Sequence, residues 1–196
     1  MKKIRLGKTE LYVTKTSMGC LPIQRRDKAE AVRILRHAYD AGINYFDTAN
    51  AYTDSEEKIG AALSDVRDKI IISTKSQGRD YATCKAHIEE SLRRMKTDYI
   101  DIFQFHMVPD MPDPDDKNGA YAAAAEMKEK GYIRHIGVTA HKIDLAFELV
   151  DSGYFETLQF PFSYISQEKD FRLVEKCAEA DICSPCMQVA KARFSS

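Results

Sequence analysis

No run of apolar residues in this sequence approaches the roughly 18 needed to cross a bilayer. The opening Met1-Lys2-Lys3-Ile4-Arg5-Leu6 is basic but has no apolar stretch behind it, so a secretory leader is not expected. Neither sign of charge is in excess: 29 Lys and Arg face 30 Asp and Glu across 196 residues. That balance argues against a general electrostatic grip on nucleic acid or on an anionic membrane. Cysteine is sparse, odd in number and irregularly spaced, at Cys20, Cys84, Cys177, Cys183 and Cys186. No disulfide framework is implied, and reduced thiols in a cytoplasm are the expectation. What remains is globular: 44% hydrophobic against 30% charged is the balance of a folded domain, and the length suits one ordinary domain or two very small ones.

The first fifteen residues read as a hairpin, with Leu6-Gly7-Lys8-Thr9 turning between Lys3-Ile4-Arg5-Leu6 and Leu11-Tyr12-Val13. Six strand signals follow, at 16–20, 44–49, 69–75, 99–106, 133–140 and 157–163. Several are near-continuous apolar or β-branched runs, as in Ile70-Ile71-Ile72-Ser73-Thr74, which suits strands buried on both faces. Helical spacing fills the gaps. Ala31, Val32, Leu35, Ala38 and Tyr39 form one stripe, and Cys84, Ile88, Leu92 and Met95 another. Further stripes run through Ala120, Ala123, Ala124 and Met127, through Leu145, Ala146, Leu149 and Val150, and through Phe171, Val174, Cys177 and Ala178. Thr53-Asp54-Ser55-Glu56 has the form of a capping box ahead of Ile59, Ala62 and Leu63. A hairpin followed by six strand–helix units demands a parallel sheet with right-handed crossovers. Such a sheet is either open and doubly wound or curled toward a barrel. No G-x-G-x-x-G follows the first strand, which lowers the dinucleotide-binding form of the open sheet.

Titratable and polar residues gather at the C-terminal ends of these strands, the edge where parallel α/β folds bind ligands. Asp47 closes the second strand and Tyr52 lies in the loop beyond; Lys75 ends the third and His106 the fourth. Thr139 and His141 follow the fifth, and Gln159 lies in the sixth. Taken singly, each has an ordinary explanation. A lone lysine is usually solvated, a lone tyrosine or histidine usually packs, and an aspartate before a turn often caps it. Four of them at one edge of three successive strands form a working set. A tyrosine phenol can serve as general acid, and a nearby cation favours its ionised form. Lys75 would be that cation, Asp47 its partner, and His106 a donor to a substrate carbonyl. That set reduces a carbonyl if a hydride is supplied, which no side chain can do, so a nicotinamide cofactor is implied.

The stretch from Phe46 through Asp47-Thr48-Ala49-Asn50-Ala51-Tyr52 to Gly60 resembles the signature of the aldo-keto reductase family. So do Leu6-Gly7-Lys8-Thr9-Glu10-Leu11-Tyr12-Val13, Ile71-Ile72-Ser73-Thr74-Lys75 and Gly131-Tyr132-Ile133-Arg134-His135-Ile136-Gly137-Val138. The segment Gly137-Val138-Thr139-Ala140-His141 is nearer to a bacterial branch. The resemblance implies a (β/α)8 TIM-type barrel that reduces aldehydes and ketones with NADPH, or with NADH in some members. It implies that Asp47, Tyr52, Lys75 and His106 are the catalytic tetrad, with Tyr52 protonating the carbonyl oxygen. It further implies that Thr139, His141 and Gln159 face the nicotinamide carboxamide, and that Gly19, Cys20 and Asp47 border the cofactor. The partners implied are a small carbonyl substrate, with no nucleic acid and no membrane.

The family barrel has eight strand–helix units, and only about six are legible here. Residues 1–180 are therefore expected to form an incomplete barrel with its hairpin, and 181–196 an irregular tail in which Pro185 would interrupt a strand. The loops that grip the cofactor phosphates in the family have no counterpart. Six strands leave two open edges, which favour self-association. Two functions thus stand open: a reductase, or a non-catalytic partial barrel that binds itself or a partner. Cys183-Ser184-Pro185-Cys186 with Cys177 supplies three thiols where zinc or an iron–sulfur cluster normally takes four, so no metal is expected.

Overall fold

The computed structural model describes residues 1–163 and 166–182. The hairpin forms as the turn chemistry requires. Strands β1 (Lys3–Arg5) and β2 (Tyr12–Thr14) pair antiparallel, with Ile4 opposite Val13. A 3-10 turn over Gly7–Thr9 joins them, with Gly7 at φ 53, a conformation glycine adopts without steric cost.

Six parallel strands follow: β3 (Met18–Gly19), β4 (Tyr45–Asp47), β5 (Ile71–Ser76), β6 (Ile100–Phe105), β7 (Ile133–Thr139) and β8 (Thr157–Gln159). Their order in the sheet is their order in the chain. Helices α1 (Lys28–Asp40), α2 (Ser55–Leu63), α3 (Tyr81–Met95), α4 (Ala120–Glu129) and α5 (Ile143–Asp151) make the crossovers, and α6 (Glu168–Glu179) follows β8. The sheet curls into a half-barrel. Thus the expected α/β architecture, an incomplete TIM-type barrel of six units with an N-terminal hairpin, is the observed one. Within the expected tail, 183–196 lies outside the described residues, as does the C-x-x-C.

Register sorts the side chains onto two faces. Phe46, Ile72, Phe103, Phe105, Val138 and Leu158 pack outward against Leu35, Ile88, Ala123 and Leu149 of the helices. The other face carries Tyr45, Ile71 and Ile102 near the strand starts, and these bury Leu6 and Val13 of the hairpin. The hairpin is therefore the floor of the half-barrel. Asn44 clasps it, accepting from Thr14 N at 2.7 Å and donating to Tyr12 O at 2.9 Å. Arg5 reaches across to Asp181 at 2.8 Å, beyond the end of α6.

Beside that floor lies a buried ionic cluster. Asp101, 1% exposed, accepts from Arg67 at 2.6 Å, Arg134 at 3.1 Å and Ile72 N at 2.9 Å. The Tyr99 ring lies 4.0 Å from the Arg67 guanidinium carbon and 3.7 Å from that of Arg134. This cluster joins the starts of β5, β6 and β7, the end opposite to the ligand-binding edge, so its role is structural.

Gly137 of β7 lies opposite Thr157 of β8. A methyl group at Gly137 would stand 2.0 Å from Thr157 Oγ1 and 3.0 Å from its carbonyl oxygen. Threonine is short and stiff at χ1, so little relief is available. Gly137→Ala should cost about 1–3 kcal/mol by overpacking. Urea unfolding checks this, and Gly137→Ala/Thr157→Ala should recover part of the loss.

Two local expectations fail. The capping box at Thr53–Glu56 does not form: Asp54 is the N-cap of α2 without a side-chain cap bond, and Thr53 has φ 38. The Glu56 carboxylate is buried instead beneath β5, accepting from Thr74 Oγ1 at 2.6 Å and pairing with Arg94 at 3.5 Å. A charged, buried partner outweighs one backbone amide. In α6 the buried residues are Leu173 and Cys177, whereas Phe171 is 51% exposed and Val174 is also exposed. The helix docks on α5, tied by Lys169 to Asp144 and Lys176 to Asp151. A narrow contact covers one stripe, and the Phe171 flank is left to meet Phe162 edge-on.

Candidate active site

The strand ends carry the site. Lys75 is the penultimate residue of β5, flanked by β4 and β6, and is 1% exposed. A lysine so deeply placed needs partners for its charge. Its Nζ donates to Asp47 Oδ2 at 2.6 Å and to the Thr48 carbonyl at 2.6 Å.

Tyr52 stands on the loop between β4 and α2, and that loop is held from several sides. Asn50 N donates to Lys75 O at 2.9 Å and Ser55 N to Tyr52 O at 2.8 Å. The Ser55 hydroxyl bonds Thr48 Oγ1 at 2.8 Å and Cys20 O at 2.9 Å. The phenol ring is half-buried, 5.7 Å from Lys75 Nζ at its centroid. His106, the first residue after β6, is fixed by its amide to Ser76 O at 2.8 Å. Its imidazole meets the Tyr52 ring edge-on at 5.8 Å. All four residues singled out from the strand ends thus come together.

The electrostatics differ in one respect from the sequence expectation. Burial, and after it the charges of Asp47 and Cys20, push the Tyr52 phenol up to about 12. Burial of the phenol outweighs any pull of the Lys75 ammonium toward the ionised form. His106 is pushed down to about 4, by burial first and then by Lys75, while Asp47 opposes the shift. At neutral pH the site therefore offers a protonated phenol and a neutral imidazole. The thiol of Cys20 is fully buried and pushed up, chiefly by burial, so it is not a ready nucleophile.

The other expected residues lie around this group. Thr139 and Gln159 are opposite each other at the ends of β7 and β8. The Thr139 hydroxyl accepts from Met107 N at 2.6 Å, and Gln159 Oε1 lies 3.5 Å from Gln104 Nε2. His141 is exposed two residues beyond Thr139. Gly19 is aligned with Asp47, and a methyl group added there would meet nothing within 4 Å. Two atoms at the centre, Asp47 Oδ1 and His106 Nδ1, are buried with no partner among the described residues. An acceptor and a ring nitrogen left unpaired at a strand-end edge suit a polar ligand. Among the described residues no cluster of His, Cys, Asp and Glu could hold a metal. No described helix is long and apolar enough to cross a membrane.

Sequence reading missed Arg79 and Met107, which hold the turn after β6. Neither belongs to a motif, and a contact to a main-chain carbonyl leaves no mark on residue type.

The model of the aldo/keto reductase family matches residues 16–189. The chain is 32% identical over 184 residues to the uncharacterized oxidoreductase YqkF of Bacillus subtilis, covering 87% of this chain and 59% of that protein. It is 30% identical to an L-galactose dehydrogenase of Arabidopsis thaliana, covering 74% of this chain and 50% of that one. The chain thus spans about three fifths or less of these relatives' length. The holo form of the Bacillus halodurans reductase AKR11C1 superimposes with a TM-score of 0.82 at 28% identity, covering 93% of this chain and 64% of that one. A Klebsiella pneumoniae aldo-keto reductase in complex with NADPH gives 0.78 at 25% identity, covering 92% and 65%.

Proposed function

Since the chain belongs to the aldo/keto reductase family, we propose that its site reduces an aldehyde or ketone to the alcohol. The Lys75–Asp47 pair with the Tyr52 and His106 rings beside it is the observation that carries this reading. NADPH, or NADH, supplies the hydride when bound. The residues present fit such a group. Asp47 Oδ1 is an unused buried acceptor suited to a sugar hydroxyl, and Gly19 and Cys20 form the adjoining strand end. Thr139 and Gln159 stand side by side where a carboxamide could be held, with the exposed His141 at the rim.

The protein's own part is proton transfer and orientation. As the carbonyl carbon gains hydride, the C=O π bond breaks and its electron pair moves onto oxygen. The Tyr52 hydroxyl donates its proton to that oxygen, and water returns a proton to the phenolate. His106, neutral above about pH 4, can direct a ring N–H at the same oxygen. Asp47 keeps the Lys75 ammonium in place beside the ring, 5.7 Å from its centroid.

Fluorescence titration with NADPH, followed by its oxidation in the presence of nitrobenzaldehyde, tests this. Micromolar binding and aldehyde-dependent oxidation are expected. A chain that binds neither NADPH nor NADH at millimolar concentration would overturn it. A second reading, a non-catalytic half-barrel that associates with itself, is favoured by the exposed Phe171 and Val174 on α6. A stable oligomer together with that lack of binding would select it.

A further inference from the structure

We propose that Arg79 is a positioning residue: its guanidinium clamps the two consecutive carbonyls of the turn that aims His106. The inference rests on the proposed reductase reading for its consequence, but not for its geometry.

His106 Nδ1 has no hydrogen-bond partner among the described residues, so the ring's aim depends heavily on its backbone. That backbone is unusual. Met107, the next residue, lies at φ 53, a left-handed conformation that side-chain-bearing residues rarely hold. Such a residue persists only when its surroundings over-determine it. Here both sides of the turn are tied. Met107 N donates to Thr139 Oγ1 at 2.6 Å and Val108 N to Thr139 O at 3.0 Å. Opposite them, Arg79 Nη2 donates to His106 O at 2.6 Å and to Met107 O at 3.2 Å.

The clamp is itself anchored. Arg79 O accepts from Ala120 N at 3.1 Å, and the neighbouring Asp80 bridges to Gly119 at the start of α4. Among the described residues no carboxylate bonds to Arg79, and Asp110 acts on it through its charge alone. Its charge is thus directed at main-chain oxygens. A partly desolvated cation that no carboxylate contacts is costly unless it serves the fold or the site. Its location, against the carbonyl of the residue whose ring meets Tyr52, favours the site.

Arg79 has a second influence through its charge. The groups acting on the His106 imidazole are Lys75, Arg79 and His141, which disfavour its protonation, and Asp47, which favours it. Removing Arg79 should loosen the ring and also ease its protonation. Both effects are readable without any cofactor.

The test is an NMR pH titration of the histidine side chains, with the His106 resonance assigned from His106→Gln. In Arg79→Met the His106 resonance should move, broaden and titrate closer to the ordinary value of 6.5, while His37 and His87 stay as in the wild type. Arg79→Lys should give a smaller displacement of the same sign. A folded Arg79→Met whose His106 signal is unchanged in position, width and titration overturns the clamp. If Arg79→Met does not fold, Arg79→Lys decides by the same reading. In turnover, kcat should fall by up to about 10²-fold, the effect of a misplacement near 1 Å, with little change in the KM for NADPH. A wild type without turnover would count against the reductase reading alone, since the titration decides on Arg79 independently.

Discussion

Tyr52→Phe should lower kcat for aldehyde reduction by about 10²-fold or more while leaving NADPH affinity close to that of the wild type. The substitution removes one oxygen and keeps the ring that meets His106 edge-on. Loss of rate therefore reports the proton and not the packing. Steady-state kinetics with nitrobenzaldehyde and a parallel fluorescence titration with NADPH separate the two. Equal turnover in Tyr52→Phe and wild type would remove the phenol from the chemistry. The pH profile adds a check of sign. A donor must be protonated, and the phenol is pushed up to about 12. The wild-type rate should then show no loss from phenol ionisation through the neutral range, and should decline only as the pH nears that value.

Asp101→Ala should destabilise the fold by about 3–5 kcal/mol, the usual loss when one partner of a buried ion pair is removed. Arg67 and Arg134 would face each other across Tyr99 with no carboxylate between them. Ile72 N would also lose its acceptor at the start of β5. For a chain of this size the melting temperature should fall by about 6–20 °C. Thermal unfolding followed by circular dichroism measures it. Asp101→Asn, which keeps an acceptor oxygen, should lose less. A shift within about 1 °C for Asp101→Ala would mean that water replaces the carboxylate at no cost.

The strands were legible because residues such as Ile71, Ile72 and Ile102 are buried on both sides of the sheet, and such burial writes unbroken apolar runs. The candidate site was legible because parallel strands end together, so Asp47, Lys75 and His106 could be aligned by counting. Other features depend on neighbours that a local pattern does not contain. Glu56 has the spacing of a capping residue, but Thr74 and Arg94 draw it under the sheet. The α6 stripe has the right period, yet period alone does not say which flank meets α5. The direction of the Tyr52 shift turned on burial of the phenol, which its residue type does not state. The sign of φ at Met107 and the two carbonyls beneath Arg79 are equally silent in residue type.

The sheet order repeats the chain order, and this bears on how the protein is made. Each of β4 to β8 pairs with the strand immediately before it in sequence. A nascent chain leaving the ribosome can dock every new strand–helix unit on the one already built, with only short loops to close. No strand has to wait for a distant partner. The tie to Asp181 breaks that rule: Arg5 in the first strand bonds it from 176 residues away, and Lys8 in the turn bonds its carbonyl. The hairpin floor can form early on Tyr45, Ile71 and Ile102, but its link to Asp181 must wait until α6 has emerged. Until then each intermediate length presents a fresh unpaired strand edge, so the growing chain passes through a series of adhesive states that a chaperone would have to shield.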